Sequence, residues 1–267
     1  MFLVLRLLAR RLGISLIVLV GVSMLIFGIA RVIPGDPARI ALGPNATVEQ
    51  VTNLREELHL NDSIVVQYGY FLADLLKGEL GISLYTNRPV TTDIAQFLPA
   101  TLELVIFAGI LMVGIGLPLG IASARYRGRW PDHVIRLVSL LGVSAPSFVW
   151  AVILMLLFAF YLPIFPIAGR IADTYEITRV TGFLLFDTLL SGNFSAFGDA
   201  LRHIILPAFA LAVSGIGQAA RLTRANMVET YDKPYIEMAH AFGFSARRIA
   251  NKFAFKPSMI PSLTIIG

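Results

Sequence analysis

The chain has 267 residues, 56% of them hydrophobic and only 15% charged, whereas soluble domains carry about 25% charged residues. A soluble fold of this length needs more polar surface than this sequence supplies, so composition excludes a water-soluble globule and makes lipid the solvent for much of the protein. The net charge of +5 would raise nucleic acid as a partner in a soluble protein, but here the basic residues flank apolar runs and no nucleic-acid partner is expected.

Arg10 and Arg11 precede an uncharged run, Leu12 to Ala30. Its 19 residues suffice to cross a hydrocarbon core of about 30 Å at about 1.5 Å per residue. A cleaved signal peptide is the alternative. The run is longer than the usual apolar region of about 7–15 residues, and no A-x-A cleavage signal follows, so a retained span is expected. The segment Arg31–Glu103 then opens with Pro34-Gly35-Asp36-Pro37, which stops the first helix and imposes a turn. Thr47 to Leu60 reads as a helix with Thr47 as its N-cap. Gln67 to Leu76 predicts a short amphipathic helix lying at the membrane surface, ended by Gly78 and Gly81.

A second span is predicted over Leu104–Ala124, bracketed by Glu103 and Arg125. A third begins after Arg136 and ends near Tyr161, followed by an exit broken by Pro163 and Pro166. Val180–Phe186 is apolar but too short to cross; it either dips into the interface or caps a pore. The fourth span is Ile204–Ala220, and a fifth apolar stretch starts at Pro257 and is still running at Gly267. The expected architecture is therefore an all-α polytopic membrane protein with four full spans and the start of a fifth. Its segments are 1–30 (first span), 31–103 and 104–267 (remaining spans and a loop at 229–256).

Lysine and arginine set the orientation. With the N-terminus inside, the inner segments hold 14 of 22 bases and 4 of 17 acids, and the outer segments hold 8 bases and 13 acids. An inner membrane location with the N-terminus, Arg125–Arg136 and Glu229–Lys256 in the cytoplasm follows as the expectation.

That last loop is the most informative stretch. Asp232-Lys233-Pro234 is a helix-start pattern, with Asp able to cap and Pro suited to the first turn. Tyr235–Phe242 predicts a short helix punctuated by Gly243, as a residue at positive φ would be. Ser245 can cap a second helix, Ala246–Phe255, with Arg247, Arg248, Lys252 and Lys256 towards its exposed faces. Two short helices held at an angle suit docking onto a soluble partner; a solvated basic loop has the same composition.

Glu237-Met238-Ala239-x-x-x-Gly243 resembles the EAA loop of binding-protein-dependent ABC permeases, with Met238 in place of the second alanine. Tyr235, Ala239, Ala241, Gly243, Phe244, Ser245, Arg247 and Arg248 resemble the form that loop takes in the dipeptide, oligopeptide and nickel branch. The ordered stretches Pro34–Pro37, Gly78–Ser83, Leu98–Glu103, Ala145–Phe148, Leu206–Ala208 and Ala220–Arg224 are similar to the same branch.

The resemblance implies a type I importer permease with a six-span core. Its partners would be a second, similar permease, two cytoplasmic ATPases that receive the loop in surface grooves, and a periplasmic binding protein. Members continue beyond the fifth span, so the chain is expected to be truncated at Gly267. Tyr235, Glu237, Ala239, Ala241, Gly243, Ser245, Arg247 and Arg248 would form the ATPase-coupling site, with small residues at 239, 241 and 243 seating it closely. The subunit itself would be non-catalytic, moving a small solute, with di- or oligopeptides the commonest cargo of the branch.

Other motifs carry less. Gly215-Ile216-Gly217-Gln218-Ala219-Ala220 has dinucleotide-loop spacing but lies inside a span with no preceding strand, where packing explains it better. Gly116-x-x-x-Gly120 either permits close helix contact or reflects ordinary flexibility near Pro118. No P-loop is present, cysteine is absent, and His59, His133, His203 and His240 have no metal-ligand spacing; no cofactor or metal is expected. Glu103 and Arg202 border spans, either as a polar mouth or as helix-end anchors. A membrane enzyme would need paired ionisable residues within spans, and the four apolar runs contain none. A channel working without an ATPase is the remaining alternative.

Overall fold

The computed structural model describes residues 2–32, 36–43, 45–83, 85, 86 and 88–259. Pro34 and Gly35 of the predicted turn, and the fifth apolar stretch from residue 260 onward, lie outside them. The chain divides into two compact units, Met1–Ala95 and Gln96–Gly267.

In the first unit, α1 (Phe2–Val32) carries an apolar surface exposed on nearly every side, as a helix solvated by lipid does. After α2 (Pro37–Leu42), α3 (Val48–Glu57) starts on a full capping box in which Thr47 and Gln50 bond each other's backbone N–H, two orphan donors satisfied reciprocally. The amphipathic segment forms α4 (Ile64–Lys77), ended by Gly78 in the left-handed region. Its aromatic face meets α1: Phe27 packs on Tyr68 and Phe71, and Tyr68 hydrogen-bonds Ser23.

The second unit is built on long helices. The predicted second span is the latter part of α5 (Val90–Arg125), which starts 14 residues before Leu104 and carries Glu103 inside the helix. The fourth span is likewise the middle of α9 (Phe194–Tyr231). Both predicted starts were set at a charged residue, but a charged side chain does not stop a helix where it is paired, as Glu103 is with Arg170, or exposed, as Arg202 is. The third span begins at Trp130, six residues before Arg136, and is not one straight helix. It is α6 (Trp130–Ser144) and α7 (Ser147–Met155), bent by 103°, with α7 continuing as wider π turns to Tyr161.

The span ends at Tyr161 and the exit past Pro163 and Pro166 is non-helical, as the sequence reading has it; a further sharp corner, which that reading did not place, lies at Pro146. Proline has no N–H to return to the carbonyl four residues back, which leaves Gly142 O without its helical donor. Two side chains supply the bond, Ser214 Oγ at 3.0 Å and Trp150 Nε1 at 3.2 Å, as a buried carbonyl in an apolar medium requires.

Close approach of α5 and α9 depends on glycine. A Cβ on Gly116 would lie 2.8 Å from the Ala219 Cβ, and one on Gly120 2.5 Å from the Thr223 Cβ; small residues give this contact where lipid supplies no hydrophobic drive. Gly217, in the dinucleotide-like run, meets Ser139 O on α6 in the same way, so that run is packing surface. Among the described residues, three helices are long and apolar enough to cross a membrane, or four if the bent pair counts as one span. The architecture is that of an all-α polytopic membrane protein.

Candidate functional site

The predicted loop is an organised projection. α10 (Pro234–Ala241) begins with Lys233 at the N-cap and Pro234 in its first turn. Asp232 was the predicted cap; it instead closes the end of α9 and its carboxylate pairs with Arg127 at 3.3 Å. The end of α10 is a Schellman motif: Phe244 N bonds Ala239 O at 3.2 Å, and Gly243 N bonds His240 O at 2.9 Å. This geometry needs a left-handed residue after the helix, and Gly243 supplies it at φ +73°. Ser245 then caps α11 (Ala246–Arg248), accepting from Arg248 N, and the chain continues as a π-helix over Ile249–Phe255.

What fixes the projection is apolar. Ile236 and Ala239 of α10 are buried with Ala124, Met227, Ile249 and Ala254, and Phe244 and Phe253 pack against that cluster. Fully burying a side chain such as Met227, Ile236 or Ile249 stabilises by about 1.5–3 kcal/mol. Arg248 lies 4.7 Å above the Phe244 ring, and Tyr235 reaches Phe253 O at 3.4 Å.

The eight sequence-derived residues thus divide. Ala239 faces the chain's own core, and its smallness serves internal packing. Tyr235, Glu237, Ala241, Gly243, Ser245, Arg247 and Arg248 are exposed. Beside them stand Met238 at 58% and Phe242 at 73% exposure, apolar side chains that the sequence reading did not weigh for the site. Nothing lies within 4 Å of where a Cβ on Gly243 would sit, so only its backbone angle is constrained from within the chain.

Two polar knots flank the spans, and the sequence pattern missed both. Asp132, 1% exposed, receives a bidentate pair from Arg224 at 2.6 and 2.8 Å. It also accepts from Ser123 Oγ at 2.6 Å and Gly128 N at 3.0 Å, so one carboxylate joins α5, the 126–129 turn, α6 and α9. At the other end of the same helices, buried Glu103 pairs with Arg170 at 2.6 Å and accepts from Leu185 N at 2.7 Å. Leu185 belongs to α8 (Leu184–Leu190), the helix that grows out of the short apolar run.

Asp187 on α8 holds the preceding turn through Thr181 Oγ1, Thr181 N and Gly182 N at 2.7–3.1 Å. Burial pushes its carboxyl pKa up, but these bonds to the charged form outweigh burial and hold it below the usual carboxylate range. Asp199 accepts from Ala172 N at 2.7 Å. Glu103 and Arg170 border a cavity of about 270 Å³, lined also by Thr101, Leu185, His203 and Pro207 among others. Glu103 is therefore a paired carboxylate that lines this cavity. Like Asp132 it lies outside the four apolar runs, and both carboxylates are paired.

Comparison with known proteins identifies the family of the chain. Residues 116–267 match the family described as "Binding-protein-dependent transport system inner membrane component", and residues 4–105 match its companion, "Binding-prot-dependent transport system membrane comp, N-term". The chain is 42% identical over 252 residues to the probable D,D-dipeptide transport system permease protein DdpB of Escherichia coli (strain K12), covering 94% of this chain and 74% of that protein. It is 38% identical over 258 residues to the dipeptide transport system permease protein DppB of Alkalihalophilus pseudofirmus, covering 97% and 78%. It is 38% identical over 260 residues to the di/tripeptide transport system permease protein DppB of Pseudomonas aeruginosa, covering 97% and 77%. A multi-pass helical chain with these matches along nearly its whole length belongs to the binding-protein-dependent transport system inner membrane components, the permease subunits of ABC importers.

Proposed function

We propose that the chain forms half of the translocation pathway of an ATP-driven importer for di- or oligopeptides. A second, similar permease would complete the pathway, a periplasmic binding protein would deliver the solute, and two separate cytoplasmic ATPases would hydrolyse ATP. The observation that carries the reading is the 229–256 projection: its own core fixes it, yet it leaves Met238 and Phe242 exposed. Apolar side chains held rigid in an aqueous segment, beside Arg247 and Arg248, suit a groove on a soluble partner. In this reading α10 docks on an ATPase through Tyr235, Glu237, Met238, Ala241 and Phe242, and Ala239 positions it. The peptide cargo follows the names of the relatives.

The N-terminus and the projection lie in the cytoplasm in this proposal, on the strength of the 14 to 8 split of bases and the 4 to 13 split of acids. The chain has no cysteine, so single cysteines are clean reporters. In intact spheroplasts an impermeant thiol reagent is expected to label Asn61→Cys and spare Ser245→Cys; the reverse pattern overturns the orientation. The complete transporter is expected to take up a labelled dipeptide and to co-purify with an ATPase from native membranes. Uptake that needs no ATPase would make the protein a channel, and ATP-dependent uptake of another solute alone would remove the peptide assignment.

A further inference from the structure

A second cavity, of about 510 Å³, opens between α6 and α9 and is lined by His133, Arg136, Leu137, Leu140, Arg221 and Arg224. Its three guanidinium groups are not equivalent. Arg224 is neutralised by its bidentate pair with Asp132. Arg136 and Arg221 stand on facing helices, are exposed, and have no acidic or hydrogen-bonding partner among the described residues. Arginine stays protonated at any physiological pH, so the cavity holds two uncompensated positive charges. Like charges sharing a site repel, and an anion placed between them relieves that repulsion while accepting their planar donor forks.

The setting selects among anions. Arg221 directly follows the apolar stretch Ile204–Ala220 of α9, which places it where a span leaves the hydrocarbon for the headgroup layer. On α6, Leu137 and Leu140, 58% and 55% exposed, wall the cavity, and Val138 and Leu141 continue an exposed apolar face. A guanidinium pair at headgroup depth beside a bare aliphatic face matches a molecule with an anionic phosphate at one end and acyl chains at the other.

We propose that this cavity binds an anionic phospholipid, its phosphate on Arg136 and Arg221 and its chains along the Leu137–Leu141 face. The site would tether α6 to α9 beside the Asp132 knot, and it does not depend on what solute the transporter carries.

The test uses the assembled transporter in vesicles of phosphatidylcholine mixed with phosphatidylglycerol, extracted gently and weighed intact by native mass spectrometry to count retained lipid. Wild type is expected to retain phosphatidylglycerol in preference to phosphatidylcholine. Arg136→Gln/Arg221→Gln is expected to lose that preference about 30-fold, or about 5-fold per guanidinium, the size of one basic residue's attraction to an anionic surface. Arg6→Gln/Arg10→Gln removes the same charge from α1 and is expected to keep the preference. Should the double variant not assemble, either single variant replaces it, with the 5-fold loss expected. Equal retention by wild type and cavity variants overturns the proposal, as does an equal loss in the α1 control, which would mean diffuse surface charge. Displacement of the retained lipid by inorganic phosphate or glycerol 3-phosphate overturns it in favour of a soluble anion.

Discussion

The Glu103 end and the Asp132 end of the α5–α9 pair each bury a carboxylate, but they use it differently. At the Glu103 end, carboxylates bond the backbone of connecting segments: Glu103 takes Leu185 N, Asp187 takes Thr181 N and Gly182 N, and Asp199 takes Ala172 N. These bonds shape loops. At the Asp132 end one carboxylate ties helices to each other through Arg224 and Ser123, next to the apolar cluster that seats α10. The first end shapes a cavity lining; the second makes a rigid base from which a docking helix projects. Damage should therefore stay local at one end and spread at the other.

The largest effect is expected from Arg224→Ala. It leaves Asp132, 1% exposed, as a buried charge without its partner, a change that costs about 3–5 kcal/mol. Lowered thermal stability and abundance in membranes would register it. Asp132→Asn should be milder, because Arg224 is 22% exposed and can turn towards the cavity and water. Equal losses from the two substitutions would remove the asymmetry between partners.

Glu103→Gln comes next. Its amide oxygen can still accept from Leu185 N, and Arg170, 33% exposed, keeps Gly182 O. The loss should be about 1.5–3 kcal/mol, the worth of hydrogen bonds to a charged group. The effect should stay in the 162–190 region, read as faster hydrogen exchange there and not in α10.

Gly243 separates backbone need from partner contact. Gly243→Val forces a β-branched residue to positive φ, at about 1–2 kcal/mol, and should uncouple ATP hydrolysis from transport with little change in insertion. Asn tolerates the left-handed region, and no atom of the chain opposes its Cβ. Gly243→Asn should therefore transport nearly normally if φ is the only requirement, and fail along with Val if an ATPase surface sits against it. The two variants behaving as wild type would end the coupling role.

The smallest effect is a pH dependence at Asp187. Its folded pKa lies below the ordinary value, so its bonds add stability that is fully present above about pH 4 and is lost as pH falls through the folded value. Wild type should lose more stability on acidification than Asp187→Asn, and parallel acid profiles would contradict this.

Much of this was legible in sequence. Apolar runs between charged residues located the membrane helices, because burial in lipid is a property of consecutive residues. Thr47, Gly78 and Gly243 marked helix ends because capping is local chemistry. The full lengths of α5 and α9 were not legible, since whether Glu103 can sit inside a helix depends on Arg170, 67 residues away. Asp132 and Arg224, 92 residues apart, were hidden for the same reason. The inward turn of Ala239 was hidden too: a helix of eight residues shows its buried face only when the surface it lies on is known.

The corner at Pro146 has a mechanical consequence. Gly142 O is held there by side chains reaching from either direction, Ser214 from α9 and Trp150 from α7, so the elbow is pinned to a neighbour rather than to its own main chain. Turning α7 about this elbow would break the Trp150 bond and the packing of α7 along α9, while the Ser214 bond, which joins α9 to α6, and the helical ladders on both sides stay whole. By contrast, α5 and α9 are locked at backbone distance by Gly116 and Gly120, and sliding them would drive atoms into each other. The unit thus combines a helix pair held at backbone distance with one bent limb, and the bend sits where a single missing N–H put it.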